Sequence, residues 1–276
     1  MTPYRFTSVT RIADLQSSQL TLKDVPRAEW ATGDYVAGEV VDVSGLHNIE
    51  LPNGRMMEVV EGDLVIGALG ARAATLEAVG DWRDIVDGRF ACLTPAGLFG
   101  KLTSCSPFLA TLPTLRYAGH VHTGSLKRTM TGAARTPSDA ELRAPIVLIT
   151  GTSMSSGKTM SGRLVVRLLS KLGYRVVGAK LTGAARYRDV LSYEDAGAAA
   201  IFDFVDVGLP STVVDAAVFE ERLVDLLKLI AAAKPDVVVA EAGASPLEPY
   251  NGSVAIRLLG DRVRFNLLCA SDPYAV

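Results

Sequence analysis

The run Gly151-Thr152-Ser153-Met154-Ser155-Ser156-Gly157-Lys158-Thr159 has the residue types and spacing that phosphate chemistry requires. Small residues let backbone N–H groups turn towards an anion. The lysine reaches the outer phosphate oxygens, and the threonine hydroxyl can sit on Mg²⁺. A helix opening at Lys158 brings the positive end of its dipole to the same place. The flanks agree with this reading. The apolar run Ile146-Val147-Leu148-Ile149-Thr150 precedes the loop. After it, Leu164, Val165, Leu168, Leu169 and Leu172 recur at helical spacing until Gly173.

Strand, small-residue loop and Gly-Lys-Thr helix start together form a P-loop arrangement. Five residues separate Gly151 from Gly157, where the usual pattern has four, and Thr152 stands where a glycine is expected. A second signal is Asp236-Val237-Val238-Val239-Ala240-Glu241-Ala242-Gly243, an apolar strand that ends in a carboxylate. An acid there would order Mg²⁺ or the attacking group and face Thr159 across neighbouring strand ends. The plainer account is a strand ending in a solvated glutamate. Lys180 closes Val176-Val177-Gly178-Ala179 and would point at the same crevice. Its plainer account is a lysine whose stem lies along the surface. Asp195, in Tyr193-Glu194-Asp195-Ala196-Gly197, is read as opening a small-residue helix, where a first-turn acid is also ordinary helix chemistry.

Other polar residues carry weaker readings. Asp203, Asp206, Ser211 and Thr212 are either a mobile loop over a substrate or an ordinary connection. Ser271-Asp272-Pro273 either touches a nucleotide base or is a strand-to-turn signal. His120 and His122 alternate on a strand and share a face, but no third metal ligand is evident. Arg116, Lys127, Arg128 and Arg135, near the linker, either approach an anion or, the plainer account, belong to a solvated linker. Cys92, Cys105 and Cys269 are widely spaced and form no C-x-x-C pair, so they read as reduced structural thiols of a cytoplasmic protein.

The elements that must position these residues fall into two grammars. Residues 1–123 show short apolar segments between turn signals such as Gly33-Asp34 and Pro52-Asn53-Gly54, the pattern of a small β-rich domain. Residues 124–144 are rich in Thr, Arg, Gly, Ser and Pro and read as a linker. Residues 145–276 alternate strand and helix. Strands are expected at 146–150, 175–180, 236–241 and 263–270, and helices at 158–172, 193–202, 219–233 and 253–259. The fold class expected is α/β: a mostly parallel P-loop NTPase sheet with helices on both faces, preceded by the β-rich domain. Ligands in such sheets bind at the carboxyl ends of strands, where every candidate falls. The last strand-like run ends six residues before Val276, so the domain is either small or cut short; truncation is the reading taken.

A net charge of −2 over 276 residues gives no electrostatic case for nucleic acid or an anionic membrane. No apolar run approaches the roughly 20 residues that span a bilayer, and Met1 to Gln16 lacks the apolar core of a secretory signal.

Residues 145–245 resemble the dethiobiotin synthetase branch of P-loop proteins. The likeness is carried by Gly151-Thr152 through Gly157-Lys158-Thr159, by Lys180 closing the second strand, by Glu194-Asp195-Ala196, and by Ala240-Glu241-Ala242-Gly243-Ala244. It implies that Thr159, Asp195 and Glu241 hold Mg²⁺, and that Lys158 and Lys180 contact phosphates or a carboxylated substrate. A glycine of that family is replaced by Ala242, and its substrate residues and lack of a β-domain are not matched here. A likeness over more of the chain adds Ala179-Lys180-Leu181-Thr182-Gly183, Asp195-Ala196-Gly197 and Asp206-Val207-Gly208-Leu209-Pro210-Ser211-Thr212. It is to a family that includes D-glutamate N-acetyltransferase-like proteins and is similar to the molybdopterin-guanine dinucleotide synthesis GTPase.

The function expected is a Mg²⁺-dependent, ATP-binding (or GTP-binding) enzyme of kinase or ligase type. It would transfer a phosphoryl group to a small carboxylate or amine, with Lys158, Lys180 and Glu241 as its catalytic groups. Related P-loop enzymes often form dimers, which implies a homo-oligomer. Two alternatives stay open: a nucleotide switch for cofactor or metal delivery, and an N-acyltransferase using acetyl-coenzyme A.

Overall fold

The computed structural model describes residues 4–43, 47–107 and 112–275. The chain divides into two compact units. The first comprises Met1–Arg135 with Ala184–Tyr187 and Gly208–Ser211; the second comprises Thr136–Gly183, Arg188–Val207 and Thr212–Val276.

The first unit is built from β1 (Tyr4–Phe6), β2 (Leu20–Lys23), β3 (Tyr35–Asp42), β4 (Asn48–Glu50), β5 (Met56–Glu58), β6 (Leu64–Leu69), β7 (Ala71–Ala73), β8 (Ala78–Asp81), β9 (Arg89–Thr94), β10 (Leu98–Cys105), β11 (Thr114–Thr123) and β12 (Leu126–Lys127), followed by the four-residue helix α1 (Met130–Ala133). All but β4 and β5 join one ten-stranded sheet in the order β1-β6-β3-β11-β9-β10-β8-β7, with β2 and β12 also paired to β11. Among the described residues of this unit, only β1–β6 and β6–β10 run parallel. Because β6 pairs with β10 as well as β3, the path β6-β3-β11-β9-β10 closes on itself as a barrel. Its apolar residues pack inward: Val36, Val40, Val65, Phe90, Phe99 and Leu115 are all buried. Between β4 and β5, Pro52-Asn53-Gly54 makes the hairpin turn, with Gly54 at φ +81° and its N–H bonded to the Leu51 carbonyl at 2.8 Å. The stretch 124–144, expected as a linker, holds β12 and α1.

The second unit is a five-stranded parallel sheet in the order β15 (Ala200–Asp203), β14 (Val176–Thr182), β16 (Val237–Ala242), β13 (Ile146–Gly151), β17 (Val263–Cys269). Its helices are α2 (Lys158–Lys171), α3 (Tyr187–Asp195), α4 (Ala216–Ala232) and α5 (Gly252–Leu259). Strands β13, β14 and β16 are buried along most of their length, which is why they read as continuous apolar runs. The Asp215 side chain caps α4 by accepting from the Ala217 N–H at 2.9 Å.

These findings correct the expected fold class. The chain is strand-rich, its largest sheet has ten mostly antiparallel strands, and only five α-helices occur among the described residues. It is not a mostly parallel P-loop α/β protein with a small β-rich leader. Short strands joined by tight turns bury their apolar faces by wrapping around one another, so the β-rich part needs no helices and becomes the larger sheet. A second correction concerns residues 193–202. The helix expected there starts earlier, at Tyr187, and stops at Asp195. Gly197, at φ +108°, turns the chain into β15 instead.

Candidate functional site

The stretch from Thr152 to Gly157 links the end of β13 to the start of α2. Gly157 takes a left-handed conformation at φ 92° immediately before the helix. The first backbone bond of α2 joins the Ser161 N–H to the Gly157 carbonyl at 2.9 Å, so the N–H groups of Lys158, Thr159 and Met160 lie ahead of the helical ladder as end donors. The loop is tightly curled: a Cβ added at Gly151 would meet Lys158 Cδ at 2.8 Å. Inside the curl Lys158 Nζ donates to the Ser153 carbonyl at 2.6 Å. The buried Ser156 Oγ has no hydrogen-bond partner among the described residues. Lys158 itself is buried. Burial pulls its pKa below the ordinary lysine value, against the opposing pull of the Glu241 and Glu248 carboxylates.

Parallel register sets the rest of the site. At one level across three strand ends lie Asp203 of β15, Lys180 of β14 and Glu241 of β16, and Glu241 is in register with Ile149 of β13. Glu241 Oε2 accepts from Thr159 Oγ1 at 2.9 Å and from the Tyr193 hydroxyl at 3.1 Å. Lys180 Nζ donates to Asp189 Oδ2 at 2.6 Å. Burial disfavours the Lys180 charge, but Asp189 and Glu241 outweigh it and hold the pKa above the ordinary value. Burial, and then the Glu241 carboxylate, push the Tyr193 phenol far above its usual range, so it stays a donor. Glycines make room for this ring: a Cβ at Gly178 would meet Tyr193 Cδ2 at 2.7 Å, and one at Gly162 would strike the Tyr193 hydroxyl.

The structure therefore brings together Lys158, Thr159, Lys180 and Glu241. It does not bring Asp195 to them. Asp195 is exposed and is the last residue of α3, not the first of a helix. The turn after it returns to the amino end of the sheet, where the Ala199 N–H bonds the Val176 carbonyl at 2.8 Å. Strands rise about 3.3 Å per residue, so that end is roughly 13 Å from the level of Lys180 and Glu241. The acid that does reach the site from α3 is Asp189, which sequence reasoning missed. Its available signal was an acid in the first turn of a helix that follows the lysine-bearing strand. Tyr193 was also missed. Its signal was a tyrosine matched by Gly162 and Gly178, legible only once the elements are packed.

The remaining candidates have structural partners. Asp203 Oδ1 accepts from the Val205 N–H, and Asp206 Oδ2 from the Asp203 N–H, both at 2.8 Å. Thr212 Oγ1 bonds the Tyr250 carbonyl at 2.8 Å and accepts from the Gly183 N–H at 2.9 Å, while Ser211 is buried. Ser271 donates its N–H to Thr152 Oγ1 at 3.3 Å, which sets the segment after β17 beside the loop that precedes α2. His120 lies between Asp34 Oδ2 at 3.2 Å and the Tyr117 hydroxyl at 2.6 Å, and His122 Nδ1 lies 3.1 Å from the His120 carbonyl. Lys127 pairs with Asp34, and Arg116 with Glu39. All three cysteines are free thiols. Burial pushes Cys92 up to about 12, Cys105 is exposed, and Cys269 Sγ lies 3.5 Å from Ser161 Oγ. Among the described residues no group of three or more His, Cys, Asp or Glu could hold a metal, and no helix is long and apolar enough to cross a membrane.

No protein-family model matches the chain, and no curated protein matches it either. Helix-end amides, two buried ammonium groups and a buried carboxylate bonded to a hydroxyl suit an anion that carries a hard cation with it.

Proposed function

We propose that the loop from Gly151 to Thr159 binds the polyphosphate of a nucleotide, with ATP favoured, and that the chain transfers its outer phosphoryl group to a small carboxylate or amine. The observation that carries this reading is the convergence of Lys158, Thr159 and Glu241 at the carboxyl ends of two adjacent parallel strands, with Thr159 and Glu241 already hydrogen-bonded at 2.9 Å. In such sheets ligands bind at these ends.

Each group has a role in that reaction. The end amides of α2 and the orphaned Ser156 hydroxyl face phosphate oxygens. Lys158, now on the Ser153 carbonyl, exchanges that acceptor for the outer phosphates and offsets the charge that develops there. A substrate carboxylate oxygen, or an amine nitrogen that gives up a proton to solvent, attacks the terminal phosphorus in line; the new P–O or P–N bond forms as the bond from that phosphorus to the bridging oxygen breaks, and the nucleoside diphosphate leaves with its electron pair. Lys180 orients an anionic group of nucleotide or substrate. Thr159 and Glu241 are hard oxygen donors of the kind Mg²⁺ accepts, and Mg²⁺ is ordinarily held by one or two such groups plus phosphate and water. When bound it would supply charge neutralisation on the phosphates.

A thermal-shift series with ATP, GTP and acetyl-coenzyme A, each with and without Mg²⁺, tests the reading. A ligand at 100 times its dissociation constant stabilises by about 2.7 kcal/mol, a readable shift. A shift with ATP that grows with Mg²⁺ is expected. A shift with acetyl-coenzyme A alone, indifferent to Mg²⁺, would replace phosphoryl transfer by acyl transfer.

A further inference from the structure

Two groups of the site are held by one helix. Asp189 and Tyr193 are four residues apart on α3, so they lie one above the other on the same face. Asp189 bonds Lys180 at the end of β14 at 2.6 Å; Tyr193 bonds Glu241 at the end of β16 at 3.1 Å. β14 and β16 are neighbours, and Lys180 and Glu241 are in register, so α3 grips two of the charged side chains of one rung. Neither contact is loosely made. Lys180, Tyr193 and Glu241 are buried, and the Tyr193 ring is seated against Gly162 and Gly178. Without Asp189 the Lys180 ammonium would lose the carboxylate 2.6 Å away that most offsets its cost of burial.

We infer that Asp189 and Tyr193 are positioning residues of the phosphate site: Asp189 fixes the Lys180 ammonium for an anionic ligand group, and Tyr193 fixes Glu241 for the cation that accompanies the phosphates. This rests on the nucleotide reading. Neither residue touches the ligand itself. Groups behind a metal-binding carboxylate typically alter metal affinity by roughly 10- to 100-fold when removed.

The test is ATP affinity by calorimetry across a Mg²⁺ titration, on the whole chain and its variants. Tyr193→Phe keeps the ring and its packing. It should raise the Mg²⁺ concentration needed for half-maximal ATP affinity by roughly tenfold, leaving Mg²⁺-free ATP binding unchanged. Asp189→Asn should weaken ATP binding roughly tenfold, and Asp189→Glu should restore most of it. In a Lys180→Ala background Asp189→Asn should have little further effect, because the two act as one unit. If the unaltered chain binds no ATP at any Mg²⁺ concentration, the phosphate site itself is wrong and this inference falls with it. If the unaltered chain binds ATP and the folded Tyr193→Phe and Asp189→Asn variants bind it with the same affinity and Mg²⁺ dependence, the site stands and only the positioning role is overturned. A lowered melting temperature with unchanged binding counts as that second result.

Discussion

Thr159 Oγ1 donates to Glu241 Oε2 at 2.9 Å, joining the first turn of α2 to the end of β16 across 82 residues of sequence. The same carboxylate oxygen takes the Tyr193 hydroxyl. One oxygen thus ties a helix start, a strand end and the face of a second helix, and what happens to Glu241 should report on all three.

Glu241→Gln keeps a carbonyl acceptor for both hydroxyls and removes the charge. ATP affinity measured without Mg²⁺ should stay within about twofold, while Mg²⁺-dependent turnover is lost. Glu241→Ala removes the acceptor as well and strands a buried phenol, which should cost about 1–3 kcal/mol in urea unfolding. Equal turnover in Glu241→Gln and the unaltered chain would remove Glu241 from the reaction.

Lys158→Ala takes away the ammonium inside the loop. Charge-assisted hydrogen bonds contribute about 1.5–3 kcal/mol each, so ATP affinity should fall by about a hundredfold in calorimetry. The melting temperature should not fall in parallel, because this lysine is held below its ordinary pKa by burial and its charge is costly to the folded chain.

Asp34 should give the barrel unit an acid-sensitive component. Burial opposes its charge, but hydrogen bonds from His120, Lys127 and the Ala31 N–H win and hold its pKa below the ordinary 3.8. A lowered folded-state pKa stabilises above the unfolded value, and that contribution disappears as pH falls through the lowered one. Asp34→Ala breaks a buried pair and should cost about 3 kcal/mol near neutral pH. The gap in urea midpoint between the two proteins should close as pH is taken from about 6 to about 2. A gap independent of pH would show that Asp34 acts by packing alone.

Gly178→Ala places a methyl 2.7 Å from Tyr193 Cδ2, closer than carbon atoms tolerate. Overpacking of this kind costs about 1–3 kcal/mol. The ring must give, so denaturant stability and the Mg²⁺ dependence of ATP binding should fall together. Stability that falls alone would mean that Tyr193 can shift without disturbing Glu241.

Local features were legible from the residues themselves. The apolar run before Gly151, the small-residue loop and the helical period after Lys158 are contiguous, so short-range dihedral and periodicity rules were enough to place the loop between β13 and α2. The same rules failed at 193–202. Asp195 and the small residues around it read as the opening of a helix, when Gly197 in fact ends one and the chain enters β15. The weight of the β-rich part was also misjudged. Each of its strands is short, and only pairing between distant strands, such as β6 with β10, turns them into a ten-stranded sheet.

By itself the sequence determined that a cation and a hydroxyl would follow a tight turn at the start of a helix, because those residues are neighbours and no long-range contact is needed to keep them so. Only the tertiary structure decided which acids join them. Glu241 arrives because β16 pairs with β13 in a register that puts it level with Ile149. Asp189 arrives, and Asp195 does not, because the helix that carries both starts at the carboxyl end of the sheet and runs away from it, so a difference of six residues places one acid at the site and the other towards the amino end of the sheet.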